Sequence, residues 1–175
     1  MSLPSAVTMS RQVPKAPFSE TGKHAKGIWY FAYGSNMRSS VMKGRGITPL
    51  KMQAVIVPDY RLCFDIFGIP YAEPAFASIA HLLENEVSGD KPIPPVHGVA
   101  YLLTADDYRR LVVTEGAGVG YEEIIVHARV LDSAEEQAEI MAHTLKAKYP
   151  FRPNRASSKR YMVNALHYIA STSVG

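Results

Sequence analysis

Ile28-Trp29-Tyr30-Phe31-Ala32-Tyr33 is a row of six apolar and aromatic residues, and Gly34-Ser35-Asn36 follows it without a break. A run of that length with no polar alternation suits a strand covered on both faces. The three residues after it carry strong turn chemistry. A buried strand ending in a turn is expected here, with a short helix over 37–44 opening on Ser35 or Asn36 as its cap. Such a strand-to-helix turn gathers several backbone N–H groups in one place, and these hold anions and developing oxyanions. Residues 33–36 also fit an ordinary connection that binds nothing.

Upstream, residues 1–27 contain Pro4, Pro14 and Pro17 and show no apolar periodicity. They read as a flexible leader before a single domain over 28–172. Arg11, Lys15, Lys23 and Lys26 against Glu20 account for the whole net charge of +3, so the rest of the chain is electrically balanced. A balanced body is poor support for nucleic-acid binding, which needs a concentrated basic face. Ser, Pro and Thr interrupt every short apolar stretch of the leader, against a secretory signal. Pro14 and Pro17 break the helix that a mitochondrial presequence needs. No apolar run approaches the roughly 18 residues of a membrane span. A cytoplasmic protein is expected, and the sequence carries no signal for its oligomeric state. The one cysteine, Cys63, excludes an internal disulfide and reads as a core residue between Leu62 and Phe64.

Downstream, 54–57 and 60–66 read as strands around Pro58-Asp59. The stretch 67–77, with Gly68, Pro70 and Pro74, reads as loop, and 77–83 as a short strand. Residues 84–95 hold three prolines and read as a surface loop. Val96–Leu103 is a strand, and Thr104 starts a helix in which Asp107 takes the reciprocal position of a capping box. That helix stops before Gly116-Ala117-Gly118-Val119-Gly120. A strand is expected over 121–131. The Ala, Glu, Gln and Lys content of 134–148 predicts a helix there. A last helix opens at Ser157 or Ser158, with Tyr161, Met162, Ala165, Leu166 and Ile169 at helical spacing. Alternating strand–helix–strand units are absent, so the predicted class is α+β.

Glu115 stands between a predicted helix end and the glycine-rich loop. The negative end of the helix dipole favours a neutral carboxyl group there, which suits a general base working near neutral pH. A solvated loop glutamate is the plainer alternative. The glycines follow a helix and lead into a strand, the reverse of the order in a dinucleotide-binding fingerprint. None of the six histidines falls at a metal-ligand spacing, so metal catalysis has little support. Tyr161 fits two roles, a hydrogen bond to a ligand or core packing against Ala165.

Three separated segments together resemble one family, the γ-glutamylcyclotransferases. Tyr30-Phe31-Ala32-Tyr33-Gly34-Ser35-Asn36-Met37 is similar to its N-terminal substrate loop. Thr114-Glu115-Gly116, followed by Gly120-Tyr121 and a strand, is similar to its catalytic glutamate segment. Ser157-Ser158-Lys159-Arg160-Tyr161 resembles its late helix start, with Ala156 where the family often has Pro. The resemblance covers roughly residues 27–170 and implies a small mixed sheet or barrel with flanking helices. It implies Glu115 as general acid and base. It implies Tyr33, Gly34, Ser35, Asn36, Met37 and Tyr161 as substrate contacts. Leu62-Cys63-Phe64-Asp65 and 73–78 are similar to the fungal branch, whose members occur in glutathione-linked secondary metabolism.

The family reaction converts a γ-glutamyl amine, peptide or glutathione-type substrate to 5-oxoproline and the free amine. The substrate's own α-amine is the nucleophile, which agrees with the lack of a Ser or Cys triad in this sequence. No cofactor is implied, and the expected partner is a small molecule. Two other readings stay open. The long 67–95 segment allows a related cyclase, lyase or isomerase acting on a bulky metabolite. A catalytically silent binding module of the same fold is the third.

Overall fold

The structure, a computed structural model, describes residues 27–69, 73–87, 91–115, 118–131, 138–151, 154, 156, 157, 159 and 161–163. The expected leader lies outside them, apart from Gly27. Strand β1 (Ile28–Ala32) runs into a 3-10 turn (Ser35–Met37) and helix α1 (Ser39–Gly44). Strands β2 (Lys51–Val57), β3 (Tyr60–Ile69) and β4 (Glu73–His81) follow, then a one-turn helix α2 (Glu84–Val87). Strand β5 (Val96–Leu103), helix α3 (Ala105–Thr114), β6 (Tyr121–Val130) and β7 (Glu139–Ala147) complete the labelled elements. Helical backbone recurs at 159 and 161–163. Among the described residues no helix is long and apolar enough to cross a membrane.

Five strands close into a barrel in the order β1-β5-β2-β6-β7, and β3 with β4 forms a separate two-stranded ribbon. The pairings are antiparallel except at the seam, where β7 lies parallel to β1 and His143 registers with Tyr30. This is the mixed barrel with flanking helices that the resemblance implied.

The unbroken apolar run of β1 has its cause in this architecture. Phe31 and Tyr33 face the barrel interior with Val55, Val57, Ala100, Val126 and Ala142. Tyr30 and Ala32 face the other way, into a second layer with Met42 of α1 and Tyr108 and Leu111 of α3. Both faces are covered, so neither alternates with polar residues. β5 shares the arrangement, and Gly98 is where it presses closest. A Cβ at that position would stand 2.2 Å from the Ala32 carbonyl oxygen, so only glycine fits.

Three expectations are corrected. The helix expected over 134–148 is strand β7 wherever that stretch is described as a labelled element. Its Ala and Lys favour helix weakly, but Ala142 and Thr144 turn inward while Met141 and His143 turn outward. Nine residues of pairing with β6 outweigh the propensity. Thr144 also donates from its hydroxyl to the Phe31 carbonyl at 2.8 Å, fastening the seam. Second, the expected loop over 67–77 shrinks, because β3 reaches Ile69 and β4 begins at Glu73. Pro74 is tolerated because a two-stranded ribbon does not require every N–H to donate. The 84–95 loop likewise contains α2. Third, neither Ser35 nor Asn36 caps α1, whose N-cap is Arg38 without a side-chain bond.

Candidate active site

Two chain segments far apart in sequence meet at one end of the second apolar layer. The first leaves β1 through the 3-10 turn. Met37 N–H donates to the Gly34 carbonyl at 3.0 Å, and the Tyr101 hydroxyl donates to the Met37 carbonyl at 2.7 Å. The turn is thus pinned from below by β5. The N–H groups that open such a turn, those of Ser35 and Asn36, have no acceptor within it.

The second segment is the C-terminal end of α3. Thr104 caps its start, the hydroxyl accepting from Asp107 N–H at 3.1 Å, as the sequence predicted. Glu115 is the C-cap, its N–H donating to the Leu111 carbonyl at 3.0 Å. The residue lines a cavity of about 410 Å³. Tyr33, Gly34, Ser35, Asn36, Glu115 and Tyr161 all line that cavity, with Tyr30, Arg45, Phe76, Ala77, Thr114, Tyr121 and Leu145. Met37 is placed elsewhere. It is buried in the apolar layer with Tyr30, Met42 and Leu111, because the 3-10 turn points its side chain down toward the helices.

Phenols dominate the polar wall. The Tyr161 hydroxyl donates to the Tyr33 carbonyl at 2.9 Å, and its ring meets Phe64 edge-on at 4.8 Å. The Tyr33 hydroxyl donates to the Leu145 carbonyl, and the Tyr121 hydroxyl to the Ala77 carbonyl at 3.1 Å. Burial pushes the Tyr161 phenol up to about 12. Burial first, and then the Glu115 carboxylate, push Tyr30 above the ordinary phenol range. Tyr33 is raised by burial and by its tyrosine neighbours. These phenols therefore stay protonated at neutral pH.

Arg45 was not singled out by sequence reasoning. Its guanidinium forms an ion pair with Glu115, a cation that the helix-end argument left out. It occupies the C-cap of α1, followed by Gly46 at φ +69. Gly46 N–H donates to the Lys43 carbonyl at 2.9 Å and Ile47 N–H to the Met42 carbonyl at 3.0 Å, the paired bonds of a Schellman closure. Lys43-Gly44-Arg45-Gly46 carries that stop signal in sequence, though nothing in it points to position 115. Among the described residues no group of three or more His, Cys, Asp or Glu side chains is placed to hold a metal ion.

No family model matches the chain. The chain is 54% identical over 147 residues to γ-glutamyl cyclotransferase gliK of Aspergillus fumigatus, an alignment covering 78% of this chain and 54% of that one. It is 43% identical over 157 residues to γ-glutamyl cyclotransferase verK of Clonostachys rogersoniana, covering 83% of this chain and 87% of that one. The chain belongs to the γ-glutamyl cyclotransferase family. It spans about half the length of the Aspergillus relatives it matches, 54% of gliK and 52% of aclK from Aspergillus oryzae. Among solved structures, a γ-glutamyl cyclotransferase superposes with a TM-score of 0.65 at 18% identity, covering 85% of this chain and 81% of that one. A yeast γ-glutamyl cyclotransferase described as specific to glutathione superposes at 0.61 and 13% identity, covering 83% and 87%. These likenesses carry the fold. In this member of the γ-glutamyl cyclotransferase family, the turn after β1 and the end of α3 open on the same cavity.

Proposed function

We propose that the chain cyclises a γ-glutamyl amine, peptide or glutathione-type substrate to 5-oxoproline and the free amine, without a cofactor. The α-nitrogen of the substrate forms a bond to its γ-carbon, and the bond from that carbon to the leaving amine breaks. Glu115 takes a proton from the α-ammonium and returns one to the departing nitrogen. Acid–base catalysis of this kind contributes typically about 10²–10⁴-fold. The N–H groups of the turn face the γ-carbonyl oxygen, where donors aimed at a developing oxyanion contribute roughly 3–4 kcal/mol. Curling the chain so that nitrogen meets carbon supplies the remainder, up to about 7–11 kcal/mol for a well-oriented pair.

The observation that carries this reading is the sharing of one cavity by Glu115 and the 34–36 turn. Its volume, about 410 Å³, lies within the usual range for small-molecule sites. The names of the relatives favour the same chemistry, and the yeast structure described as specific to glutathione favours a glutathione-type substrate. A cytoplasmic location and a tailoring or detoxifying role on γ-glutamyl metabolites accompany the reading.

The test is direct. The protein is incubated with γ-glutamyl-alanine, glutathione and a glutathione S-conjugate, and 5-oxoproline is sought by mass spectrometry. Release from at least one is expected, and Glu115→Gln abolishes it while the circular dichroism spectrum stays unchanged. Near-full turnover by the Gln variant refutes the assignment of the base. Binding without release would make the protein a silent module.

A further inference from the structure

We propose that Arg45 binds the α-carboxylate of the substrate, so that the substrate's charged head inserts into the Arg45–Glu115 pair and frees the base. The inference rests on the cyclotransferase reading and deepens it by naming what recognises the amino-acid end.

Among the described residues lining the cavity, Arg45 is the one cation and Glu115 the one anion. They lie side by side, joined as an ion pair. An α-amino acid head is itself an ammonium and a carboxylate on one carbon. It matches this pair charge for charge, ammonium to Glu115 and carboxylate to Arg45. A guanidinium carries five N–H donors in a planar fork that suits a carboxylate.

A second feature points to the same head group. Asn36 is 5% exposed and lines the cavity. Its Nδ2 donates to the Tyr30 hydroxyl at 3.3 Å, while its Oδ1 is buried with no partner among the described residues. A buried acceptor left unpaired is costly and calls for a donor. The ammonium of the same head group supplies one beside Glu115.

The receptor is also built to stay in place. The Schellman closure fixes the backbone on either side of Arg45. From α3, the Arg110 guanidinium donates to the Gly46 carbonyl at 2.9 Å. The helix that ends in Glu115 therefore also grips the turn that presents Arg45, and the spacing between the two charges is held from both sides. In the absence of substrate the pair neutralises itself. With substrate, two new ion pairs replace one, and Glu115 gains contact with the proton it must remove.

The test compares two lactams that differ only in the carboxylate, 5-oxoproline and 2-pyrrolidinone, by titration calorimetry. The wild-type protein is expected to prefer 5-oxoproline by about tenfold or more. Arg45→Gln erases the preference without weakening 2-pyrrolidinone, and Arg45→Lys, which keeps charge but not the fork, reduces it. In turnover assays the Gln variant shows its loss as a raised KM for γ-glutamyl-alanine that exceeds the loss with 4-aminobutanoyl-alanine, which lacks only the α-carboxylate. A preference unchanged in Arg45→Gln overturns the proposal. Should that variant not fold, an unchanged preference in Arg45→Lys does so. A wild-type protein that holds the two lactams alike, or holds neither, also overturns it. The lactam measurement needs no chemistry, so absent 5-oxoproline formation with a retained carboxylate preference refutes the reaction alone, and turnover without that preference refutes Arg45 alone.

Discussion

Glu115 stands at the end of a helix, paired with Arg45, in the lining of the cavity. Its reach is therefore set by backbone, and one methylene matters. Glu115→Asp keeps the charge and withdraws it by about 1 Å. A misplacement of that order costs about 10²-fold in catalysis. Steady-state kinetics on the best γ-glutamyl substrate is expected to show that fall in kcat, and an Asp variant at wild-type rate would refute a positioned base. Tyr161 also lines the cavity and donates to the Tyr33 carbonyl. Tyr161→Phe leaves that carbonyl without this donor and lowers stability by about 1–3 kcal/mol, measurable by urea titration. At this scale the sequence was legible where chemistry was local. Glu115 beside glycines, the 33–36 turn and Tyr161 are short motifs, and all of them reach the cavity. Arg45 was not legible, because its partner lies 70 positions away and only the packing of α1 against α3 joins them. Met37 shared the motif of the turn yet points into the core.

Elements read well where pattern and propensity agree. Val96–Leu103 and α3 stand where the sequence put them, since an apolar strand, a Thr cap and a glycine stop all say the same thing. β7 was missed because helix-favouring residues fill a strand held by β6 just before it and, on its other side, by β1 at the far end of the sequence. The ribbon of β3 and β4 was cut short by reading Gly68 and Pro74 as breaks. Two substitutions test these elements. Thr104→Ala removes the hydroxyl that accepts from Asp107 N–H and is expected to cost about 1 kcal/mol in chemical denaturation, with kcat unchanged. Gly98→Ala drives a methyl group onto the Ala32 carbonyl. β1 and β5 then cannot keep their register, and the variant is expected in the insoluble fraction.

For the molecule as a whole, the buried phenols set a limit in alkali. Tyr161 is raised to about 12, and burial raises Tyr30, Tyr33 and Tyr108 above the ordinary phenol range as well. Unfolded tyrosines ionise near 10, so between pH 10 and 12 the unfolded chain loses protons that the folded one keeps. The stability these groups contribute is intact below pH 10 and falls as pH rises through the folded values, by about 1.4 kcal/mol per pH unit for each such phenol. Cooperative unfolding above pH 10, with tyrosinate absorbance appearing in the same step, is expected. Ionisation of the buried phenols before any loss of ellipticity would contradict it.

The seam between β1 and β7 has a cost during synthesis. The hydroxyl of Thr144 reaches the Phe31 carbonyl across 113 residues of chain. The ribosome thus makes the first staple of the seam long before its counterpart exists, and contacts so distant form slowly. Through that interval an aromatic-rich strand shows bare amide edges to neighbouring nascent chains, a template for aggregation. Yield in a foreign host should respond to chaperone supply and growth temperature more than to any change in the residues lining the cavity.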